Sequence, residues 1–396
     1  MSNCSQESND IKVTVLLPCL NEERTIPECI KLIRKGFHQR SEKYEILVVD
    51  NGSIDKTAAI AEALGARVVK IEEKGYGNAL IGGIHAAEGE WIIMGDADGS
   101  YDFSEIGRFI EGLRQGYELV MGCRLPSGGG KISPGAMPWK HRWIGNPVLT
   151  AIGKILFKSK INDFHCGLRG FSRKSIIGLN LVSTGMEFAS EMIIASSISR
   201  LKITEVPITL YPDLRNRPPH LRSWRDGWRH LRLMLLYSPM WLFLIPSLSI
   251  GLLGLISAIT LGMGSVHNSR PSFDTNALLF SCLLLPLSQQ LIFFGLFATT
   301  YARIQGFLAP SPYLKLFYKH YTLEKGIGAG IALVFIGLIV IMHVLIKWRG
   351  ISFDEFTEKE IMLRTIPAAI SVLMGIQVIF GSFVISILSI TKSKKS

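Results

Sequence analysis

Two carboxylates one residue apart, Asp96 and Asp98, close the run Trp91-Ile-Ile-Met-Gly and precede Gly99. In a strand alternate side chains point the same way. Both carboxylates then project past the carboxyl edge of a sheet, where open α/β sheets bind their ligands. Two such charges repel unless a cation stands between them. Hard oxygen donors suit Mg2+ or Mn2+, which in turn suit phosphate oxygens. Asp and Gly also build ordinary surface turns, so the pair alone does not decide its own meaning.

Three more strand ends carry polar or glycine-rich loops. Lys12–Pro18 reads as a buried first strand followed by Leu20, Asn21 and Glu22. Tyr44–Asp50 reads as a second strand of the buried parallel type, ending in Asp50-Asn51-Gly52-Ser53. Lys74-Gly75-Tyr76-Gly77-Asn78 opens a helix after a short third strand, and Glu118–Arg124 is a fifth strand. Strands alternating with helices predict a right-handed, mostly parallel Rossmann-like sheet. The loops Pro18–Glu22, Asp50–Ser53, Lys74–Asn78 and Asp96–Asp98 then converge on one edge, fit for a ligand with a base, a ribose and phosphates. Asp50 suits a base N–H and Glu22 the ribose hydroxyls. Gly75 and Gly77 permit close backbone approach, and Asp96 and Asp98 suit a metal on the diphosphate. No GxGxxG follows the first strand and no GxxxxGK[ST] occurs. Neither a dinucleotide enzyme nor a P-loop NTPase is supported.

The 396 residues are 48% hydrophobic and only 19% charged. Four apolar stretches, 239–264, 275–302, 326–346 and 366–391, are each long enough to span a bilayer, which takes about 20 residues. The first ten residues are polar and do not resemble a signal peptide. The six cysteines form no CxxC pair and read as reduced, not as a disulfide frame or zinc site. Residues 124–232 hold 18 Lys and Arg against 6 Asp and Glu, while the whole chain is +11, so the remainder is near neutral. This basic segment abuts the first span, which favours anionic lipid headgroups over nucleic acid as partners. Within it, Leu221, Trp224, Trp228, Leu231 and Leu235 form one stripe of a basic amphipathic helix suited to the membrane interface. The expected organisation is a tail (1–10), an α/β domain (11–218), a juxtamembrane helix (219–238), a membrane domain (239–391) and a basic tail (392–396). An even number of spans returns that tail to the cytoplasm.

Six motifs occur in order: Leu17-Pro18-x-x-Asn21-Glu22, Val49-Asp50-Asn51-Gly52-Ser53, Lys74-Gly75-x-Gly77-Asn78-Ala79, Asp96-Ala-Asp98-Gly99, Gly122-Cys-Arg124 and Asp163-x-x-Cys166-Gly167-Leu-Arg169. Together they resemble family 2 glycosyltransferases of the GT-A fold, and among these the polyprenyl-phosphate (dolichyl-phosphate-like) hexosyltransferases. The resemblance extends to about residue 235. It implies metal-dependent, inverting transfer of a hexose from a UDP- or GDP-sugar to a polyprenyl phosphate at the cytoplasmic face of the cell (inner) membrane. It implies Mg2+ or Mn2+ at Asp96 and Asp98, and a donor site of Pro18, Leu20, Glu22, Asp50, Gly52, Lys74, Gly75, Asn78 and Asp96. Arg124, Arg142, Arg217 and Arg222 are the expected cations for the acceptor phosphate. By the same resemblance Asp163 lies close to the transferred sugar, with Asp98 and Arg124 catalytic beside it. Glu187, in Met186-Glu187-Phe-Ala-Ser-Glu191, would orient a sugar hydroxyl or an arginine. Arg169 and Lys174 read as solvated charges.

The chain departs from the pattern in two places. Asn51 replaces the second Asp of the common Asp-Asp-Gly-Ser turn, and Gly99-Ser100 stands where GDP-mannose-using relatives often carry a glutamine. The second departure tilts the expected donor toward UDP-glucose, with GDP-mannose and UDP-N-acetylhexosamine as alternatives. A processive polysaccharide synthase would carry Gln-x-x-Arg-Trp, which is absent here. A non-catalytic membrane scaffold is the reading from a different class, and homo-oligomerisation is left open.

Overall fold

The computed structural model describes residues 11–215, 223–264, 271–305, 308, 312–350 and 358–390. The chain folds as two units, Met1–Met234 and Leu235–Ser396.

The first unit begins β1 (Val13–Cys19), α1 (Ile26–Phe37), β2 (Tyr44–Asp50), α2 (Thr57–Ala63), β3 (Arg67–Lys70), α3 (Tyr76–Ala86) and β4 (Trp91–Met94). It continues with α4 (Gly107–Arg114), β5 (Leu119–Cys123), β6 (Lys131–Ile132), α5 (Asn146–Phe157), β7 (Arg169–Ser172) and α6 (Arg173–Ile177). Helix α7 (Phe188–Ile198), β8 (Ile203–Pro207), β9 (Thr209–Leu210) and α8 (Ser223–Leu236) complete the series. Seven strands form one sheet in the order β3-β2-β1-β4-β7-β5-β8. β7 runs antiparallel between β4 and β5, and the other pairs are parallel. The mostly parallel, Rossmann-like expectation therefore stands, with one reversed strand in the middle.

Hydrophobicity on both faces explains the central strands. Val13, Val15, Leu16 and Leu17 of β1 are fully buried, as a strand covered by helices on both sides requires. On α1, Ile26, Cys29, Ile30, Ile33 and Phe37 are buried at a spacing of three and four residues. This is one helical face turned to the sheet, and each large side chain contributes about 1.5–3 kcal/mol by burial.

After a 3-10 turn at Pro126–Gly128, β6 pairs with β9 in a small second sheet. One sequence expectation needs correction. Arg169 is not a solvated charge. It is fully buried, and donates to the carbonyls of Cys166, Phe164 and Ala189 at 2.8, 3.2 and 2.7 Å. Three carbonyls aimed at one point stabilise the guanidinium that burial alone would expel. Arg217, Arg222 and the Pro218-Pro219 pair lie outside the described residues.

The second unit holds α9 (Pro239–Gly264), α10 (Pro271–Ile304), α11 (Pro312–His320), α12 (Leu323–Gly350) and α13 (Glu358–Ile390). All but α11 are long and apolar enough to cross a membrane. Small residues let the long helices touch: a Cβ on Gly375 would lie 2.6 Å from the Gly330 carbonyl, the close approach favoured in apolar surroundings. Gln289 Nε2 donates to the Met374 carbonyl at 2.9 Å, so this polar residue joins neighbouring helices. The five described cysteines are free and buried.

Candidate active site

The end of β1 and the end of β2 are tied together first. Asn21, in the left-handed region at φ 59°, donates its N–H to Ser53 Oγ at 2.9 Å and accepts from the Ile54 N–H at 2.8 Å. Glu22 is 6% exposed, donates its N–H to Thr57 Oγ1 and accepts from Thr25 Oγ1. Asp50 turns one carboxylate oxygen back to accept from the Ser53 N–H at 2.8 Å, which shapes the turn at exposed Gly52 (φ 95°). Pro18 lies at the end of β1 opposite Val49, and Leu20 is exposed beyond it.

Asn51 explains its own departure from the family pattern. Its Nδ2 donates to the carbonyls of Ile71 and Glu73 at 3.1 and 2.9 Å, and its Oδ1 accepts from the Gly75 N–H at 2.7 Å. A carboxylate cannot donate to those two carbonyls. Asn51 is thus the clamp that sets the glycine loop beside the second strand end. At Gly75 and Gly77 the loop has no room for a side chain. Gly75 has φ 141°, and a Cβ on Gly77 would stand 1.9 Å from the Ser183 carbonyl oxygen. The Gly77 N–H donates to the Thr184 carbonyl at 2.9 Å, and Asn78 Nδ2 reaches the Lys74 carbonyl. The Lys74 residue is exposed.

Asp96 and Asp98 follow β4. Tyr76, from the middle of the glycine loop, donates its hydroxyl to Asp96 Oδ1 at 2.9 Å. Burial and then the neighbouring Asp98 push the Asp96 carboxyl up to about 6. Burial and Asp96 raise Tyr76 well above the usual phenol value, so it remains a donor. Asp98 is 8% exposed, accepts from the Ser100 N–H at 2.9 Å, and accepts from Arg215 Nη2 at 2.8 Å. Arg215 Nη1 also reaches Glu22 Oε1 at 3.3 Å. One guanidinium therefore spans the first and fourth loops. Burial works against its charge, but Asp98 and Glu22 hold its pKa above the ordinary value.

The segment that delivers Arg215 is laced to the carboxylate turn. The N–H groups of Tyr211 and Leu214 donate to the carbonyls of Ser100 and Asp98, each at 3.0 Å. Leu214 packs over Gly99, which has φ 78°; a Cβ there would lie 2.8 Å from Leu214 Cδ1. Gly99 is therefore required by conformation and by its neighbour.

The fifth-strand end and the Asp163 loop meet as a buried ion pair. Arg124 Nε and Nη2 donate to Asp163 at 2.7 and 2.9 Å, and the Arg124 N–H adds a third bond at 3.0 Å. Asp163 is fully buried and Arg124 is 8% exposed. Burial works against the Asp163 carboxylate, but the Arg124 charge and hydrogen bonds hold it below the usual range. Glu205 on β8 fixes the loop from behind, accepting from the N–H groups of Asn162 and Asp163 at 2.6 and 3.0 Å. Gly167, further along the loop, abuts Asp96: a Cβ there would lie 2.4 Å from Asp96 Oδ2. The Asp163 loop thus reaches the carboxylate pair through backbone.

Two further expected site residues lie on other elements. Arg142 lies on a π turn, His141–Gly145, with its guanidinium 5.3 Å from the Trp143 ring centre. Glu187 faces α8, 4.0 Å from Arg229. Sequence reasoning missed Arg215, Tyr76 and Glu205. Tyr76 sits inside a motif that was already quoted, but Arg215 and Glu205 belong to none.

A model of Glycosyl transferase family 2 matches residues 14–179, and one of the family 2 C-terminal transmembrane region matches 296–389. The chain is 34% identical over 375 residues to the low-salt glycan biosynthesis hexosyltransferase Agl6 of Haloferax volcanii, covering 94% of this chain and 88% of that protein. It is 31% identical to the glycosyltransferase AglJ of the same organism, over 54% of this chain and 68% of AglJ. Among solved structures, glucosyl-3-phosphoglycerate synthase from Mycobacterium tuberculosis, in complex with Mn2+, UDP and its product, aligns with a TM-score of 0.44 and 25% identity. That alignment covers 57% of this chain and 78% of the synthase. The sequence motifs, the mostly parallel sheet, the four membrane-length helices and a relative matched along nearly its whole length agree: the chain belongs to glycosyltransferase family 2.

Proposed function

We propose that the protein transfers a hexose, with UDP-glucose as favoured donor, to a polyprenyl phosphate at the cytoplasmic face of the cell membrane, with inversion at the anomeric carbon. The observation that carries this reading is the meeting of Asp96, Asp98, Glu22 and Arg215 at one sheet edge, in a chain with four membrane-length helices. The first and second loops would hold nucleoside and ribose through Asp50 and Glu22. The glycine loop would approach the diphosphate with its backbone.

The carboxylate pair fits a divalent cation. Among the described residues no group of three His, Cys, Asp or Glu side chains could form a cage, and Mg2+ bound through one or two carboxylates takes its other ligands from phosphate and water. When bound, the ion would neutralise the departing diphosphate. The acceptor phosphate is already anionic and needs cations to hold it more than a base. Arg124 is the candidate, with Asp163 fixing its orientation instead of touching the sugar. Arg142, Arg217 and Arg222 remain proposed helpers.

Protons and metal compete at Asp96. Mn2+ affinity, measured by electron paramagnetic resonance with UDP present, is expected to fall as pH drops from about 7 to 5 and to change most steeply near 6. A flat profile removes Asp96 from the ligand set. Arg215 competes for Asp98 as well. Arg215→Ala is expected to tighten Mn2+ binding severalfold by removing a positive charge 2.8 Å from a ligand oxygen; unchanged binding would separate Arg215 from the metal position. The deciding assay uses the purified full chain, Mg2+ or Mn2+, a panel of UDP- and GDP-sugars and undecaprenyl phosphate. A lipid-phosphate-linked sugar supports the proposal, and a water-soluble polymer overturns it.

A further inference from the structure

The glycine loop is held twice. Asn51, at the second strand end, bonds to Ile71, Glu73 and Gly75. The other hold comes from 181–184, a stretch without regular structure between α6 and α7. There the Thr184 carbonyl accepts from the N–H groups of Gly77 and Asn78 at 2.9 and 3.4 Å. A Cβ on Gly75 would lie 2.3 Å from that same oxygen. The stretch is thus a wall on which the loop backbone lies directly. Two loop amides are committed to it, so what the loop offers a ligand depends on where Thr184 stands. Tyr76, between the two glycines, is carried on the same backbone to Asp96. Movement of the wall would therefore shift both the loop and the hydroxyl that reaches the carboxylate pair.

Glu191 fixes the wall. It lies in the first turn of α7 and is fully buried. Its carboxylate accepts from the Val182 N–H at 3.1 Å and from the Ser183 N–H at 2.7 Å. The Val182 side chain is 65% exposed and does little to hold the stretch by packing. A buried carboxylate is costly unless its oxygens are paired. Here two backbone N–H groups and the positive end of a helix offset that cost, through the shorter and stronger kind of hydrogen bond that an ionised acceptor makes. The residues just before Glu191 anchor α7 elsewhere. Arg169 of β7 donates to the Ala189 carbonyl at 2.7 Å, and Ser190 Oγ lies 2.8 Å from His230 Nδ1 of α8. The helix is therefore placed independently of the glycine loop, and Glu191 transfers that fixed position to 182–184.

We propose that Glu191 is a positioning residue for the nucleotide donor: by fixing 182–184 it sets, through the Thr184 carbonyl, the place of the glycine loop against the donor diphosphate. It acts through Thr184 and not by touching the donor. The proposal rests on the reading of the glycine loop as part of the donor site.

The test uses variants of the full chain. Glu191→Gln keeps the shape but offers one acceptor oxygen instead of two. Val182→Pro removes an N–H from the other side of the same contact. Gly77→Ala pushes the loop off the wall directly, alone and together with Glu191→Gln. Glu45→Gln is the control for lost stability, since Glu45 accepts from Thr14 Oγ1, the Glu88 N–H and Arg67 Nε at the opposite edge of the sheet. Hydrogen exchange at the Gly77 and Asn78 amides is expected to quicken about tenfold in Glu191→Gln and in Val182→Pro. Calorimetric affinity for UDP or GDP with Mn2+, whichever the parent binds, is expected to weaken about tenfold, the scale of lost outer-shell support. Adding Glu191→Gln to Gly77→Ala is expected to change binding less than about twofold, because the loop has already left the wall. Faster exchange confined to 182–184 with nucleotide affinity kept overturns the proposal. So does additive weakening in the double variant, or equal weakening in Glu45→Gln. A parent that binds neither nucleotide overturns the donor reading and the proposal with it, whereas a parent that binds no more tightly than Glu191→Gln and Val182→Pro overturns the role of Glu191 alone.

Discussion

Replacing Asp98 with alanine, alone or together with Asp96→Ala, is expected to reduce sugar transfer by about three orders of magnitude or more, the scale on which removing preorganised charge stabilisation acts. Radiolabelled transfer to lipid phosphate at saturating Mn2+ measures this. Activity within a few-fold of the parent would dismiss the assignment of the pair. Stability should move differently. The raised Asp96 pKa means that the folded state holds a proton more firmly than the unfolded chain. The stability from that proton is full at low pH and is lost as pH rises through about 6. At pH 7.5 without metal the ionised carboxylate is therefore a cost, and Asp96→Asn, which can keep the Tyr76 hydrogen bond, should melt no lower than the parent. Lost transfer with an undiminished melting temperature is the signature of a site that folding itself does not need.

The opposite signature is expected at Asp163. Asp163→Asn strips the counter-charge from a guanidinium that is 8% exposed, and uncompensated buried charge costs about 3–5 kcal/mol. For a unit of this size the melting temperature should fall by roughly 10 °C, and transfer should be lost with it. The double replacement Asp163→Leu with Arg124→Met separates the two effects, since exchanging a buried pair for apolar residues is often neutral in stability. It is expected to restore melting but not activity. Restored activity would show that Arg124 serves only as packing.

The placing of the strand-end loops was legible in the sequence because its information is local. Asp50 ends one apolar strand and the Asp96/Asp98 pair follows another, and a strand ending in a carboxylate states where that carboxylate goes. Arg215 was not legible. It reaches Asp98 across 117 positions, and nothing in Pro212-Asp213-Leu214-Arg215 distinguishes it from other arginines of the basic segment. The pairing of Arg124 with Asp163 was hidden for the same reason: two motifs were visible, but their mutual consumption of charge depends on β7 bringing their loops together. Arg169 shows the reverse error. A charged side chain reads as solvated until three carbonyls are found around it.

The antiparallel strand β7 has a consequence in time. Strands β1 to β4 lie side by side and are complete by Met94, so this part of the sheet can assemble from the first portion of the chain to emerge during synthesis. The other edge cannot. β5 has no place in the sheet until β7, nearly fifty residues later, has inserted beside β4. Non-local strand pairing of this kind is slow, and domains form as their chain becomes available. The strands that carry the proposed donor loops are therefore paired before the strands that carry Arg124 and Asp163, and the glycine loop and carboxylate turn gain their later partners Thr184 and Arg215 afterwards. A nascent chain would pass through a stage in which β1 to β4 are paired while β5 still waits for its neighbour.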